Sequence, residues 1–267
     1  GGPGGPGGGG GPAAVEVAKV ETGRVEDDAQ AVGTLRSNQG VMMRPEVSGR
    51  IAKLAFRDGE RVRRGQLLVQ LDDSLQQAQL QQAEAQAGIA RTQLQRNREL
   101  LAQSFVSQSA VDQAVANLQV AEAQVALARA QAARMRIVAP FDGITGIRAV
   151  NPGDYVKDGA DLVSVEDLSS VLVDFRLPER YLSRLKAGQG VQIDIDAMPG
   201  RRFGGKVEAL DSQLDANGRS VLVRARIANA GGELRAGMFA RPRIVFDVRE
   251  AALLVPDSVN QVVVRAV

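Results

Sequence analysis

The carboxylates of Asp194 and Asp196, in the stretch VQIDID, are spaced for acid–base chemistry in this 267-residue chain. Two residues apart on a strand, they share one face, and two neighbouring carboxyls can hold one proton between them. The same spacing also suits a solvated strand edge. The usual catalytic partners are missing, because the chain has no His, no Cys and no Trp. Ser-His-Asp and Cys-His nucleophiles are therefore excluded, as are a disulfide framework and thiolate metal sites. Met42 and Met43 are adjacent soft ligands, but neighbours on a strand point to opposite faces. No catalysis, cofactor or metal site is expected. Basic and acidic residues nearly cancel, 33 against 31, and aromatics are 3% of the chain, so nucleic acid is not an expected partner.

A second set of residues combines a cation, an apolar group and a small hydroxyl. The stretch RNRELLAQSFVS holds Arg96, Leu100 and Ser107. Arg96 carries a planar five-donor head, Leu100 lies one helical turn on, and Ser107 is small and suited to capping a helix. Each alone also fits an ordinary structural role. The elements that position them are two long helices. From Asp73 to about Gln103 the chain is rich in Ala, Gln, Leu and Arg and free of Pro, a helix-forming composition. Asp72, Asp73 and Ser74 supply caps and negative charge at its start. Leu80, Ala83, Ala87, Ala90, Leu94, Asn97 and Leu101 alternate steps of three and four, a coiled-coil seam. Val111, Ala114, Leu118, Ala121, Val125, Ala128, Ala132 and Met135 repeat the pattern in a second helix. Ser104 and Ser107 mark the short break between them, which makes the helices antiparallel. A further apolar row, Ala116, Val120, Ala123, Leu127 and Ala130, widens the contact with the first helix or faces another copy of the chain.

On either side of this hairpin the sequence repeats itself. DGERVRRGQLLVQLDD, from Asp58, slides onto PGDYVKDGADLVSVED, from Pro152, at a fixed offset of 94. Gly59 falls on Gly153, Val62 on Val156, Gly65 on Gly159, Leu68 on Leu162 and Gly49 on Gly143, without a gap. One such half cannot bury its own apolar face, so the two halves are expected to pair at the base of the hairpin, despite the insertion between them.

From Leu168 to about Val248 the chain is β-rich, about six strands with an Asn217-Gly218 hairpin signal, which fits a small barrel. The start, GGPGGPGGGGGP, is a linker by composition, and residues 15–46 are expected to fold with 249–267. No run of about 18 apolar residues exists to span a membrane.

The two halves resemble those of a lipoyl or biotinyl carrier domain, but the turn that would hold the modified lysine reads Asp72-Asp73-Ser74. A lipoyl fold split by a helical hairpin and followed by a barrel resembles the periplasmic adaptors, or membrane fusion proteins, of tripartite efflux pumps. VSGRI, APFDGITG, NPGDYVKDG, ELRAGMFA and LLVPDSV carry the likeness, which is greatest to adaptors of resistance-nodulation-division (RND) transporters. The resemblance implies a mixed α and β, multidomain, elongated chain. Its parts are a linker (1–14), a lipoyl-like domain (47–72 with 136–167), a coiled-coil hairpin (73–135), a β-barrel (168–248) and a partial membrane-proximal domain (15–46 with 249–267). Arg, three residues, Leu, six residues, Ser is the family's docking pattern for TolC-like outer-membrane channels, and it falls on Arg96, Leu100 and Ser107. The implied partners are an inner-membrane RND transporter, that channel, and further copies of the chain, six in the assembled pump. An ABC or major-facilitator exporter, or heavy-metal efflux, is the alternative. The implied location is the periplasm, with an anchor to the inner membrane supplied by a segment upstream of this sequence.

Overall fold

The computed structural model describes residues 21–254, and the linker, residues 15–20 and residues 255–267 lie outside the described residues. The described elements begin with β1 (Glu21–Gln30), β2 (Gly33–Met43), β3 (Gly49–Leu54), β4 (Arg61–Val62) and β5 (Leu67–Leu71). Helices α1 (Ser74–Ala102) and α2 (Gln108–Ala133) follow, then β6 (Arg136–Val138), β7 (Gly143–Thr145), β8 (Tyr155–Val156) and β9 (Val163–Pro178). A six-residue 3-10 helix (Glu179–Arg184) leads to β10 (Gly190–Ile195), β11 (Arg202–Asp215), β12 (Ser220–Ala228) and β13 (Phe239–Leu254). Two compact units result: residues 34–174 with 226–239, and the described parts of 1–33, 175–225 and 240–267.

In the first unit the two sequence copies interlock through a two-fold pattern. Gly49 pairs with Val156, and the equivalents of those residues, Gly143 and Val62, pair with each other. Arg50 opposite Tyr155 is matched in the same way by Ile144 opposite Arg61. Backbone bonds repeat too: Ala55 N–H to the Leu68 carbonyl (2.8 Å) and Ala149 N–H to that of Leu162 (2.9 Å). So do Gly65 N–H to Ala139 (2.7 Å) and Gly159 N–H to Pro45 (2.9 Å). The conserved offset has a backbone cause at four turns. Gly59 and Gly153 have φ of 74° and 93°, and Gly65 and Gly159 have 81° and 76°, a region glycine enters without steric cost. Between the copies lies one core of Ile51, Val62, Leu68, Leu71, Ile137, Val156, Leu162 and Val165, among others. Each large side chain buried there contributes about 1.5–3 kcal/mol.

The hairpin leaves and re-enters this unit through neighbouring strands. β5 pairs with β6, Leu67 opposite Val138 and Val69 opposite Ile137. Leu71 N–H donates to the Met135 carbonyl at 2.9 Å, and Asp72 N–H to that of Arg50 at 2.8 Å. Residues 226–239 are tied to the same unit by buried Asn229, whose amide donates to the Leu168 and Leu234 carbonyls and accepts from Leu234 N–H.

In the second unit the strands follow the order β1-β13-β10-β11-β12. β10 and β12 alternate buried and less buried residues along their length, with Val191, Ile193, Ile195, Val221, Val223 and Ala225 inward, as expected of strands with one face on a core. Arg243 holds Glu26 at 2.6 Å and Asp28 at 2.5 Å. That guanidinium, with Gln30, keeps the Asp28 carboxyl below its ordinary range. Tyr181 stacks on Phe246 at 5.4 Å, and the Arg184 guanidinium lies over the Phe246 ring at 4.4 Å.

At 167/168 and 248/249 the chain runs on through continuous strands, β9 and β13, which contain no glycine to turn it. β1, grouped in sequence with 249–267, also runs opposite Arg243, Ile244 and Val245 upstream of that boundary. At the hairpin of Asn217-Gly218 the left-handed residue is Arg219 (φ 42°), while Asp215 accepts from the N–H groups of Asn217 and Gly218.

Candidate functional site on the helical hairpin

The seam expected from the three-four spacing is the buried face of both helices. Ala87, Leu94, Val111, Ala114, Ala121, Ala128 and Ala132 are buried, and Leu80, Ala83, Ala90, Leu101, Leu118 and Val125 half-buried. Small side chains let the backbones approach closely. Asn97, the polar break, donates to the Ala110 carbonyl of α2 at 3.3 Å and so remains satisfied. The start of α1 differs from expectation. Asp73 occupies the cap position without a side-chain cap bond. Asp72 instead accepts from the Ser74 N–H and hydroxyl, and these bonds hold its carboxyl below its ordinary range.

At the far end the turn is closed by its own backbone. Phe105 N–H donates to the Leu100 carbonyl and Ser104 N–H to that of Leu101, both at 2.9 Å. This is a Schellman motif, which normally places glycine at the left-handed position; here it is Ser104, with φ 59°. Ser107 then caps α2, its hydroxyl accepting from Ala110 N–H at 3.3 Å. Arg96 and Ser107 are exposed and Leu100 is half-buried. Leu100 and Ser107 flank the turn directly, and Arg96 sits one helical turn before Leu100. Phe105, 72% exposed in the turn itself, is a large apolar group that the three-residue pattern does not include; its signal in the sequence was an aromatic inside a turn.

The sides of the hairpin differ from one another. Along one, ion pairs cross from helix to helix, Glu84 to Arg129 at 3.5 Å and Arg91 to Glu122 at 3.7 Å. The other is an amide ladder, with Gln79, Gln86 and Gln93 facing Asn117, Gln124 and Gln131 around shallow grooves that Val120 and Leu127 also line. Ala116, Val120, Ala123, Leu127 and Ala130 are all exposed. Val120 and Leu127 stand beside α1 residues along these grooves, with more than half of each side chain open to solvent.

Comparison with known proteins agrees with this architecture. Residues 39–167 match the barrel-sandwich hybrid domain of RND membrane fusion proteins, and residues 170–246 the CusB-like β-barrel domain. The multidrug resistance protein MdtA of Klebsiella pneumoniae is 30% identical over 93% of this chain and 66% of its own length. This chain belongs to the RND membrane fusion proteins. An uncharacterized protein of Haemophilus influenzae is 35% identical over 88% of this chain and 59% of its own. The crystal structure of a MacA–MexA chimera, containing the Pseudomonas aeruginosa MexA α-hairpin domain, matches with a TM-score of 0.79 at 25% identity. It covers 92% of this chain and 94% of the chimera. The chain thus spans about three-fifths to two-thirds of the length of these curated relatives.

Membrane fusion proteins are non-enzymatic components of efflux pumps, and the carboxylates singled out for chemistry have structural partners. Asp194 faces Arg202 at 3.5 Å. Asp196 accepts from Arg241 at 2.9 Å, which lowers its pKa from the ordinary value rather than raising it. Met42 is exposed while Met43 packs on the β core, so the pair does not converge. No described helix is long and apolar enough to cross a membrane.

Proposed function

We propose that this membrane fusion protein is the periplasmic adaptor that couples an inner-membrane RND transporter to a TolC-like outer-membrane channel. The observation that carries the reading is the hairpin tip. Arg96, Leu100 and Ser107 lie at or within about two helical turns of a turn fixed by its own backbone bonds, at the end of the hairpin away from the β unit. Arg96 would meet carbonyls or carboxylates of a facing tip, Leu100 would fill a groove beside it, and Ser107 would allow close approach. At 1.5 Å per residue the hairpin reaches about 45 Å from its base. Each tip contact is weak, but linked copies engage together through effective concentration. The exposed row from Ala116 to Ala130 would then pack against another copy, in a hexamer when the pump is assembled. In this reading residues 47–72 with 136–167 form the lipoyl-like part, 73–135 the hairpin and 168–248 the barrel. Residues 15–46 with 249–267 serve the membrane-proximal end, and an anchor upstream holds the adaptor at the inner membrane.

Photo-crosslinking in cells from position 103 at the tip, and separately from an exposed barrel position, tests this reading. Capture of an outer-membrane channel from the tip and of an RND transporter from the barrel is expected. Capture of an ABC or major-facilitator exporter would replace the transporter, and no channel captured from the tip would remove the docking role.

A further inference from the structure

The tip carries Arg96 and Ser107 on different helices, and something must fix the distance and angle between them. Arg96 itself makes no hydrogen bond or ion pair among the described residues. Its neighbour Asn97 is the polar residue of the α1 seam, half-buried between Leu94 and Leu101. Asn97 accepts from the Gln93 amide of its own helix at 3.4 Å and donates to the Ala110 carbonyl of α2 at 3.3 Å. The same Ala110 gives its N–H to Ser107, to the hydroxyl at 3.3 Å and to the carbonyl at 3.1 Å. One residue of α2 thus ties the neighbour of Arg96 to Ser107 itself. Two ion pairs also cross between the helices, Glu84 to Arg129 and Arg91 to Glu122, but both are exposed and farther from the turn.

Around Asn97 the seam is apolar, with Leu94 and Leu101 on α1 against Val111, Ala114 and Leu118 on α2. Apolar burial is non-directional, so it holds the helices together without fixing how one is turned on the other. A polar residue in a seam does fix that, at a cost in stability. Successive residues lie about 100° apart around a helix, so the rotation that points Asn97 at Ala110 also sets where Arg96 points. We propose that Asn97 is a positioning residue for channel docking: its bond to the Ala110 carbonyl holds Arg96 at a fixed angle and separation from Ser107. The inference rests on the docking role put forward above for the tip. It adds a residue that acts from inside the hairpin.

The test is channel capture by photo-crosslinking in cells from position 103, run on the full chain, with melting curves of each purified variant. Asn97→Leu and Asn97→Ala remove the donor and complete the apolar seam. Both should melt near or above the parent temperature, while channel capture falls about tenfold. Asn97→Gln keeps an amide donor on a longer arm and should restore most of the capture. A chain that folds as well as the parent but docks less well separates positioning from support of the fold. Parent-level capture by either donor-free variant, with Arg96→Asp still losing it, would overturn the role of Asn97 and leave tip docking standing. So would capture that falls only in step with melting temperature, or an Asn97→Gln chain as impaired as Asn97→Leu. Parent-level capture by Arg96→Asp would overturn docking through the tip and this inference together.

Discussion

In the β unit most large apolar side chains lie in the core, Ile147 and Tyr155 excepted, whereas in the hairpin several stand exposed. Leu68, Leu71 and Leu162 have 0% exposure, while Ile89 and Val120 have 64% and Leu127 has 53%. The hairpin instead buries mainly alanines. The contrast separates two ways of making a stable element. The β unit is held by a core that its two copies supply to each other. The hairpin is held by close backbone packing, caps and backbone bonds at its turn, and it leaves Ile89, Val120 and Leu127 exposed. Changes at equivalent burial should therefore act on folding in the first region and on assembly in the second.

The largest expected effect on stability is in the β core. Leu162→Ala should cost about 2–5 kcal/mol, read by chemical denaturation, and its repeat partner Leu68→Ala should cost a similar amount. A large difference between the two would break the equivalence of the copies. On the hairpin, Val120→Glu with Leu127→Glu should leave the melting temperature nearly unchanged, within about 0.5 kcal/mol, and weaken assembly. Loss of helix content by circular dichroism would return that row to the hairpin's own packing. Next comes the Ser107 cap, whose change to Ala should cost about 1 kcal/mol. Ser104→Gly should act in the opposite sense and stabilise by about 0.5 kcal/mol, the relief of left-handed strain less the entropy of glycine.

The smallest effect is in pH. Arg243 lowers the Asp28 pKa in the folded chain. Its contribution is thus fully present above the unfolded carboxylate value, about 3.9, and is lost as pH falls through the lower folded value. Asp28→Asn should flatten the acid limb of the stability curve slightly. An acid limb identical to that of the parent chain would argue that this contact is screened by solvent.

What the sequence displayed and what it hid follow from the same physics. The repeat at offset 94 was legible because four of its turns require positive φ and carry glycine. The seam was legible because its period follows helix geometry. The strand boundaries were not, since β9 and β13 run on through residues with no turn chemistry. The left-handed Arg219 was hidden behind a stronger Asn-Gly signal. At the tip, the family resemblance gave Arg96, Leu100 and Ser107 a candidate role, but the exposure of Phe105 depends on how Ser104 directs the chain. The split between an ionic and an amide side needed the pairing of the two helices, which periodicity along one helix does not contain.

Docking by the tip is most directly tested with Arg96→Asp in a strain lacking its own adaptor, read as drug susceptibility with adaptor levels and melting temperature checked. Arg96 is exposed and outside the seam, so the account predicts a normally folded, normally abundant protein that no longer supports efflux. Full resistance from a stably expressed Arg96→Asp chain would contradict it.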